Sequence, residues 1–204
     1  MANITELEKT LRNVSKQAKF AQARALTRVA RSIQEKEQQN IENTFDNPTP
    51  FTIKSVKSIG ARRDNLQAKV FIQDIAANYL EPYEHGGVHK LSGKVLLNPK
   101  NIRLNKYGNM PRGKVKNLAA KDDVFMGSVD TAKGKVSGVW QRKKVRKSKK
   151  KGSQRGNLKL LVRFGEALPV KQDLGFYDVA QDTFMKEYPG YFRDEVANAF
   201  ATAK

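Results

Sequence analysis

Apolar and small residues in the first part of the chain recur at steps of three and four. This spacing places them on one face of an α-helix. The stripe consists of Ile4, Leu7, Leu11, Val14, Ala18, Ala21, Ala25, Val29 and Ile33. Asn3 and Glu6 have the spacing of a capping box at the start of this helix. The pattern fades towards the proline-containing segment at 46–50, so we predict a helix within 1–45, about 60 Å long if it is unbroken.

The apolar face of this helix has two interpretations. Packing against the sheet of the same domain is the default for an amphipathic helix. Contact with a second helix in an oligomer is the alternative, and the predicted helix is long enough for it. Either partner can approach closely where the side chains are small, at Ala18, Ala21, Ala23 and Ala25.

Alternating apolar positions predict an antiparallel sheet. In residues 66–73 every second side chain is apolar, namely Leu66, Ala68, Val70 and Ile72. Residues 52–59 are the predicted partner strand, because the Arg-Arg-Asp-Asn stretch between the two has the chemistry of a turn. Three further strands are predicted at 123–129, 135–142 and 158–164, with a hairpin turn between the first two.

Prolines punctuate the two remaining helical patterns. Residues 74–87 predict a short helical or irregular turn that ends at Pro82 and the double glycine after it. The C-terminal pattern within 176–202 is interrupted by Pro189 and therefore predicts two helices.

The middle of the chain predicts excursions from a compact fold. Residues 88–121 are rich in Gly, Pro and Asn, show little periodicity and are too long for an ordinary connection. We predict a projecting, partly extended excursion there, and a second one over 142–156. The fold class expected from all segments is α+β. A single domain over 1–204 would pack the long N-terminal helix and the C-terminal helix on a small antiparallel sheet.

The net charge of the 204-residue chain is +19, and it is concentrated in the middle. Residues 85–165 contain 22 Lys and Arg but only three acids, whereas the rest of the chain contains 17 of each sign. Such polarisation is typical of a surface that meets an anionic partner, or of a segment kept extended by self-repulsion.

Composition also excludes several classes of protein. The chain has no Cys, which excludes disulfides and thiolate metal sites. No apolar run is long enough to span a bilayer, and the N-terminus lacks the apolar core of a secretory signal. We therefore expect a soluble protein without a membrane partner, made in a cytoplasm and kept there or released by lysis.

The most basic stretch is residues 142–151, with eight cationic side chains in ten positions. It lies between two predicted strands and is most simply the tip of a long β-hairpin. Three interpretations are contact with nucleic-acid phosphates, a nuclear localisation tract, and a loop that orders against an acidic partner surface. The position between strands favours the third, or a combination of the third with the first. The residues expected to face a partner or DNA are Arg142, Lys143, Lys144, Arg146, Lys147, Lys149, Lys150 and Lys151.

Candidate chemistry is sparse, and we expect no active site, no metal and no cofactor. His85 and His89 are the only histidines, and their spacing would suit zinc on a helix together with Glu81 or Glu84. The glycine pair between the histidines disfavours such a helix and is typical of a turn with positive φ. Trp140, next to the basic stretch, is either an aromatic that stacks on bases or an ordinary sheet residue.

Three segments, taken in order, carry a resemblance to a known family. They are the helix ITELEKTLRNVSKQAKFAQARALTRVARSI, the segment ANYLEPYEHGG, and the closing LPVKQDLGFYDVAQDTFMKEYPGYFRDEVANAF. The second resembles a tyrosine–variable–glutamate–aromatic–glycine turn in the tail-completion proteins of long-tailed bacteriophages. Its residues are Tyr83, Glu84, His85, Gly86 and Gly87, with a histidine where an aromatic residue is more usual. The long basic insertion, followed by LLVRFGEALPV, is more similar to the minor tail protein Z branch of that group.

This resemblance implies a structural virion protein rather than an enzyme. Members of the group sit in the neck or at the head-proximal end of the tail, usually as a ring, and join the tail to the DNA-filled head. The implied partners are further copies of the chain, other tail or neck proteins, and DNA in the channel contacted without sequence specificity. The implied location is the virion, with the host cytoplasm during assembly. A basic nucleic-acid-binding protein, ribosome-associated or involved in DNA packaging, is the alternative, and a phage-encoded enzyme is a second one.

Overall fold

A computed structural model describes residues 4–88, 95–132, 134–143 and 158–202. The α+β class predicted from the sequence is confirmed, with a long N-terminal helix, a C-terminal helix and small antiparallel sheets. In chain order the elements are α1 (Ile4–Thr44), α2 (Pro50–Ile53), β1 (Val56–Ile59), β2 (Lys69–Ile72), α3 (Asp74–His85), β3 (Gly87–Val88), β4 (Leu96–Pro99), α4 (Lys114–Ala119), β5 (Val124–Thr131), β6 (Gly134–Arg142), β7 (Leu158–Gly165), β8 (Pro169–Val170) and α5 (Phe176–Ala201).

The chain groups into two compact units. The sequence had predicted a single domain over 1–204 and not this division. The first unit comprises Met1–Gly87 and Lys171–Lys204, and the second comprises Val88–Val170. Each unit has an apolar cluster of its own. The net charge divides sharply between them. Residues 88–170 hold 22 basic and four acidic side chains, hence +18, and the remainder holds 17 and 16, hence +1.

Helix α1 follows the predicted stripe and continues beyond it to Thr44. The buried face of its second half runs through Val29, Ile33 and Ile41 at four-residue steps, with Glu37 in the same row. In the first half of the helix, every residue from 4 to 16 is exposed. The helix therefore has a packed half and an uncovered half.

The packed half of α1 lies antiparallel to α5. Ser32 donates a hydrogen bond to Glu187, and Arg24 Nε lies 2.7 Å from Glu195 Oε2. Helix α5 is a single continuous helix, so the prediction of two helices separated by Pro189 was wrong. The contacts with α1 lie on both sides of the proline and hold the two halves in line, which outweighs the local cost of a missing N–H donor.

The first unit also contains a hairpin, β1–β2, in which Val56 opposes Ile72 and Ile59 opposes Lys69. The predicted strand over 52–59 is correct only for its second half. Pro50–Ile53 is instead a short helix, because Pro50 occupies its first turn and Thr49 accepts a hydrogen bond from the Thr52 N–H.

The core of the first unit lies where α1, α3 and the β1–β2 hairpin meet. Its buried members are Ile41, Val56, Ala76, Leu80 and Leu174. Helix α3 continues through Pro82 to His85, and Gly86 ends it with φ 72°. The prediction that Pro82 ends this segment was wrong, because Pro82 lies buried inside the helix, whereas the double glycine does end it.

The second unit is built on a four-stranded antiparallel sheet in the order β4–β7–β6–β5. The predicted strands at 123–129, 135–142 and 158–164 are confirmed as β5, β6 and β7. Its core contains Leu118, Val124, Val139, Leu161 and Val162.

The described part of 88–121 is not an extended excursion. Its strand β4 pairs with β7, with Leu96 opposite Gly165. Its helix α4 buries Leu118 in the core of the second unit, and Ile102 and Met110 pack against the same cluster. The sequence pattern missed this because the apolar residues are widely spaced and are gathered only by tertiary packing. The second predicted excursion, 142–156, lies outside the described residues except for Arg142 and Lys143.

Candidate functional site

The five residues at 83–87, for which the resemblance predicted a turn, form the end of α3 and the link that follows. Tyr83, Glu84 and His85 lie in its last turn, and Gly86 and Gly87 both have positive φ, as the sequence predicted for a turn. The Tyr83 ring meets Phe45 edge-on, with centroids 4.8 Å apart. The Tyr83 carbonyl accepts hydrogen bonds from the N–H groups of Asp173 and Leu174. The segment therefore fastens the chain that leads into α5.

Glu84 has a specific role in this junction. Its carboxylate accepts hydrogen bonds from the N–H groups of Phe176, at 2.8 Å, and of Tyr177, at 3.3 Å. These are the first two residues of α5, whose N–H groups have no partner within the helix. Gly175, the residue before them, offers no side chain for capping, so a carboxylate from α3 supplies the negative charge that a helix N-terminus favours.

Glu37 is a buried carboxyl in the same region. The residue is fully buried, and Asn40 Nδ2 lies 3.5 Å from Glu37 Oε2 while donating a shorter bond of 2.7 Å to the Leu174 carbonyl. Burial raises the pKa of Glu37 to about 8, the Asn40 hydrogen bond opposes this rise, and the charge of Glu84 adds to it. At neutral pH the folded protein therefore holds Glu37 mainly in its protonated form.

The predicted partner-facing basic loop falls largely outside the described residues. Only Arg142, at the end of β6, and Lys143 are described, and the other six lysines and arginines of that set are not. The guanidinium of Arg142 lies over the Phe125 ring, 4.5 Å from its centroid. Trp140 is buried in the sheet and donates from Nε1 to the Gly127 carbonyl, so the sheet interpretation of this residue is correct.

Within the described part of the chain, neither a metal-binding cluster nor a membrane-spanning helix occurs. No group of three or more His, Asp or Glu side chains within it is placed to hold a metal ion. His85 ends α3, and His89 lies outside the described residues. None of the helices there carries an apolar stretch sufficient to traverse a lipid bilayer.

The first half of α1 forms an exposed arm, which we define as residues 4–20. The contacts Ser32–Glu187 and Arg24–Glu195 advance by eight residues in opposite directions along the two helices. Continuing this register places Ala201, the end of α5, opposite about residue 18 of α1. The arm therefore extends about 20 Å past the end of α5.

The arm carries an uncovered apolar stripe. The exposed fractions of its members are 75% for Ile4, 57% for Leu7, 60% for Leu11 and 42% for Val14. The same face of α1 is buried further along, from Ala21 onwards. Exposed leucines and isoleucines in continuation of a buried seam are a feature of surfaces that another chain covers.

A groove lined by arginines lies beside the root of the arm. It has a volume of about 540 Å³ and contains Arg24, Arg28, Arg31, Arg62 and Arg63. Two of these, Arg24 and Arg28, pair with the carboxylate of Glu195, which is only 2% exposed. Arg63 pairs with Asp64 at 3.5 Å, and five arginines against these two acids leave this end of the first unit basic.

A second groove, of about 260 Å³, lies at the other end of the unit between β2, α3 and the start of α5. We call it the acidic groove. Phe71, Leu80 and Tyr177 supply apolar walls, and Glu81 and Glu84 supply carboxylates. The segments 74–85 and 173–183 together contain six acids and no Lys or Arg. The first unit is thus nearly neutral in sum but basic at one end and acidic at the other.

No family model, no curated protein and no solved structure matches this chain. The resemblance to phage tail-completion proteins therefore stays a prediction, as do the partners and the location that it implies.

Sequence reasoning missed the acidic groove and the buried carboxyls. The charge count by segment contained part of the signal, since 74–85 has three acids and no Lys or Arg. The burial of Glu37 could also have been predicted, because Glu37 lies on the apolar stripe of α1 between Ile33 and Ile41. The groove itself needed the pairing of α3 with the start of α5, about ninety residues later in the chain, which local patterns do not contain.

Proposed function

We propose that this chain is a structural virion protein of a tailed bacteriophage, of the tail-completion kind. It completes the tail end or neck and joins the tail to the head as a ring of identical copies. The observation that carries this proposal is the arm, whose apolar stripe continues a buried seam and has no cover among the described residues. A protein that works by assembly requires such surfaces, whereas a self-contained enzyme does not.

The distribution of charge supports assembly as well. A heterologous contact joins two different faces of identical subunits, and repeated contacts of this type close into a ring when the rotation permits. The first unit has two such faces of opposite sign at its two ends, the arginine-rich end and the acidic groove. We propose no catalytic role.

The proposal is tested on virus particles. Mass spectrometry of purified virions of the phage that encodes this chain is expected to detect it in a small number of copies. Antibody labelling in negative-stain images is expected to mark the junction of head and tail. Particles that are complete and infectious but lack the protein would overturn the proposal.

Binding of nucleic acid is the second candidate function. The observation that favours it is the net charge of +18 in residues 88–170, which would neutralise phosphates. It predicts tight binding of duplex DNA by the monomer, with a steep loss of affinity as salt rises. The assembly function predicts weak, sequence-independent binding only, and fluorescence anisotropy with a labelled duplex at several salt concentrations separates the two.

A further inference from the structure

The arm is a helix without a partner in its own chain. All residues from Ile4 to Lys16 are exposed. A helix of about this length is marginal in water by itself, because most helical stability in proteins comes from packing an apolar face. The apolar stripe of the arm therefore identifies the surface that a partner has to cover.

The acidic groove is a surface of the matching kind. Its walls include Phe71, 39% exposed, and Tyr177, 67% exposed, so it offers apolar area to a partner. Grooves of this type accept the apolar face of an amphipathic helix, with anchors at steps of three and four. The stripe of the arm has that spacing at Ile4, Leu7 and Leu11.

The arm cannot enter the acidic groove of its own molecule. The groove borders the core around Ile41, the thirtieth residue after Leu11 on the same helix. Thirty residues of α-helix span about 45 Å. Folding the arm back would require α1 to break within the half that packs against α5, so only another molecule can bring an arm to the groove.

We propose that the arm of one copy docks in the acidic groove of the next copy. This inference rests on the proposed function in one respect, since it names the surfaces through which copies assemble. The occupant of the groove is the arm of a second copy of this chain, because the two surfaces are opposite in charge and both carry exposed apolar side chains.

Charge complementarity supports this pairing. The arm holds four basic and two acidic side chains, hence a net charge of +2, with Lys16 and Lys19 towards its root and Glu6 and Glu8 near its tip. The two segments 74–85 and 173–183 on the groove's helical side hold six acids and no Lys or Arg, whereas β2 on its other side begins with Lys69. Opposite potentials on the two faces favour the head-to-tail encounter, and like charges disfavour groove against groove. The contact is heterologous, so each copy keeps a free arm or a free groove until a ring closes.

The test uses two variants of the full chain. In the arm variant, Leu7→Glu and Leu11→Glu place carboxylates on the stripe, and both sites are exposed helix positions that accept Glu without loss of folding. In the groove variant, Glu81→Lys and Tyr177→Lys place two cations on the groove. The hydrogen bond between Glu84 and residue 177 remains, because it uses the backbone N–H.

Each variant has a control with the same change in charge. For the arm, Thr5→Glu and Asn13→Glu add two carboxylates on the opposite face of the helix. For the groove, Asp130→Lys and Ala132→Lys add the same three units of positive charge at exposed positions of the β5–β6 hairpin, which line neither groove of the first unit. Far-UV circular dichroism and Trp140 fluorescence check that all four fold.

Sedimentation velocity then reports self-association. Both controls are expected to keep the wild-type mass, and each test variant alone is expected to weaken association at least about 100-fold, as loss of central interface anchors does. Mixing the arm variant with the groove variant is expected to give a one-to-one complex that does not grow. That complex joins the intact arm of the groove variant to the intact groove of the arm variant.

The other outcomes overturn the inference. If the groove variant assembles like the wild type while the arm variant does not, the arm binds elsewhere, for example to a second arm. If neither variant changes the wild-type oligomer, ring assembly stands but uses other surfaces. If the wild-type protein is monomeric at all concentrations, the head-to-tail docking and the ring of the proposed function both fail, and detection of the protein in virions decides separately whether it is a virion component.

Discussion

The carboxylate of Glu84 accepts a hydrogen bond of 2.8 Å from the backbone N–H of Phe176, ninety-two residues later in the chain. It joins the end of α3 to the start of α5, which belong to two of the three segments on which the predicted family resemblance rests. The turn at 83–87 thus has a structural explanation that is independent of any partner. It anchors the helix that packs along α1.

Removal of this cap is expected to destabilise the first unit. Glu84→Ala leaves the first N–H groups of α5 without their acceptor, so we expect a loss of about 1–2 kcal/mol in the free energy of unfolding. Urea titration followed by far-UV circular dichroism measures it, because the longest helices belong to this unit. Glu42→Ala, at an exposed position of α1, is the control, and equal stability of the two variants would contradict the role of Glu84.

Glu37 predicts an unusual pH dependence. Its pKa in the folded protein is about 8, against a model value of 4.5, because burial disfavours the charged carboxylate. Folding therefore retains a proton between these two pH values, so the contribution of Glu37 to stability falls as pH rises from about 4.5 to about 8 and is constant beyond that range.

Glu37→Gln removes this contribution while it keeps the shape of the protonated side chain. The variant is expected to match the wild type near pH 5 and to be the more stable protein at pH 8. Unfolding free energies at both pH values test this, with the exposed Glu35→Gln as control. A difference between variant and wild type that is the same at both pH values would show that Glu37 does not titrate in this range.

Gly138 in β6 tolerates no side chain. A Cβ at this position would overlap the Val162 carbonyl oxygen and lie 2.9 Å from a Leu160 methyl group. Gly138→Ala is therefore expected to cost at least about 2 kcal/mol in the second unit. The only tryptophan of the chain, Trp140, lies in the same strand, so its fluorescence follows the unfolding of this sheet.

The partner of Gly138 in the sheet provides the control. Gly127 is paired with it on β5, and a Cβ there would meet only the Phe125 ring at 3.7 Å. Gly127→Ala is expected to change the fluorescence midpoint little. Similar midpoints for both variants would argue against close packing of β6 on β7.

Shortening the basic segment tests the docking role predicted for it from the sequence. Arg142 and Leu158 are direct partners in the β6–β7 ladder, so a short turn in place of residues 143–154 suits the strands that flank it. We expect the shortened protein to keep its cooperative thermal unfolding transition. We expect it no longer to bind its partner in the particle.

A second version of this protein separates charge from length. It keeps the full segment but carries Gln in place of Lys143, Lys144, Lys147, Lys149, Lys150 and Lys151. If neither version binds the partner, the positive charge of the segment is what binding requires, because the second version keeps its full length. A shortened protein without a cooperative melt would contradict the prediction, because the segment would then belong to the folding core.

Periodicity in the sequence located α1, α3, α5 and the strands β1, β2, β5, β6 and β7, but it missed α2, α4, β3, β4 and β8. The stripe through Val29 and Ile33 predicts α1 because one helix face repeats at a local spacing. The prediction of a helix break at Pro189 was wrong because packing of α5 along α1 outweighs the local preference of a proline. Residues 88–121 misled for a related reason, since Leu118 reaches its core only through contacts with distant strands. The acidic groove depends on Glu84 meeting Phe176, which no local pattern contains.

Native mass spectrometry of the full-length protein is the most direct test of assembly by identical copies. The subunit mass is 23.0 kDa. Closed head-to-tail docking predicts one discrete multiple of this mass that stays constant as the protein concentration rises over about two orders of magnitude. A single species at the subunit mass over that whole range would contradict it.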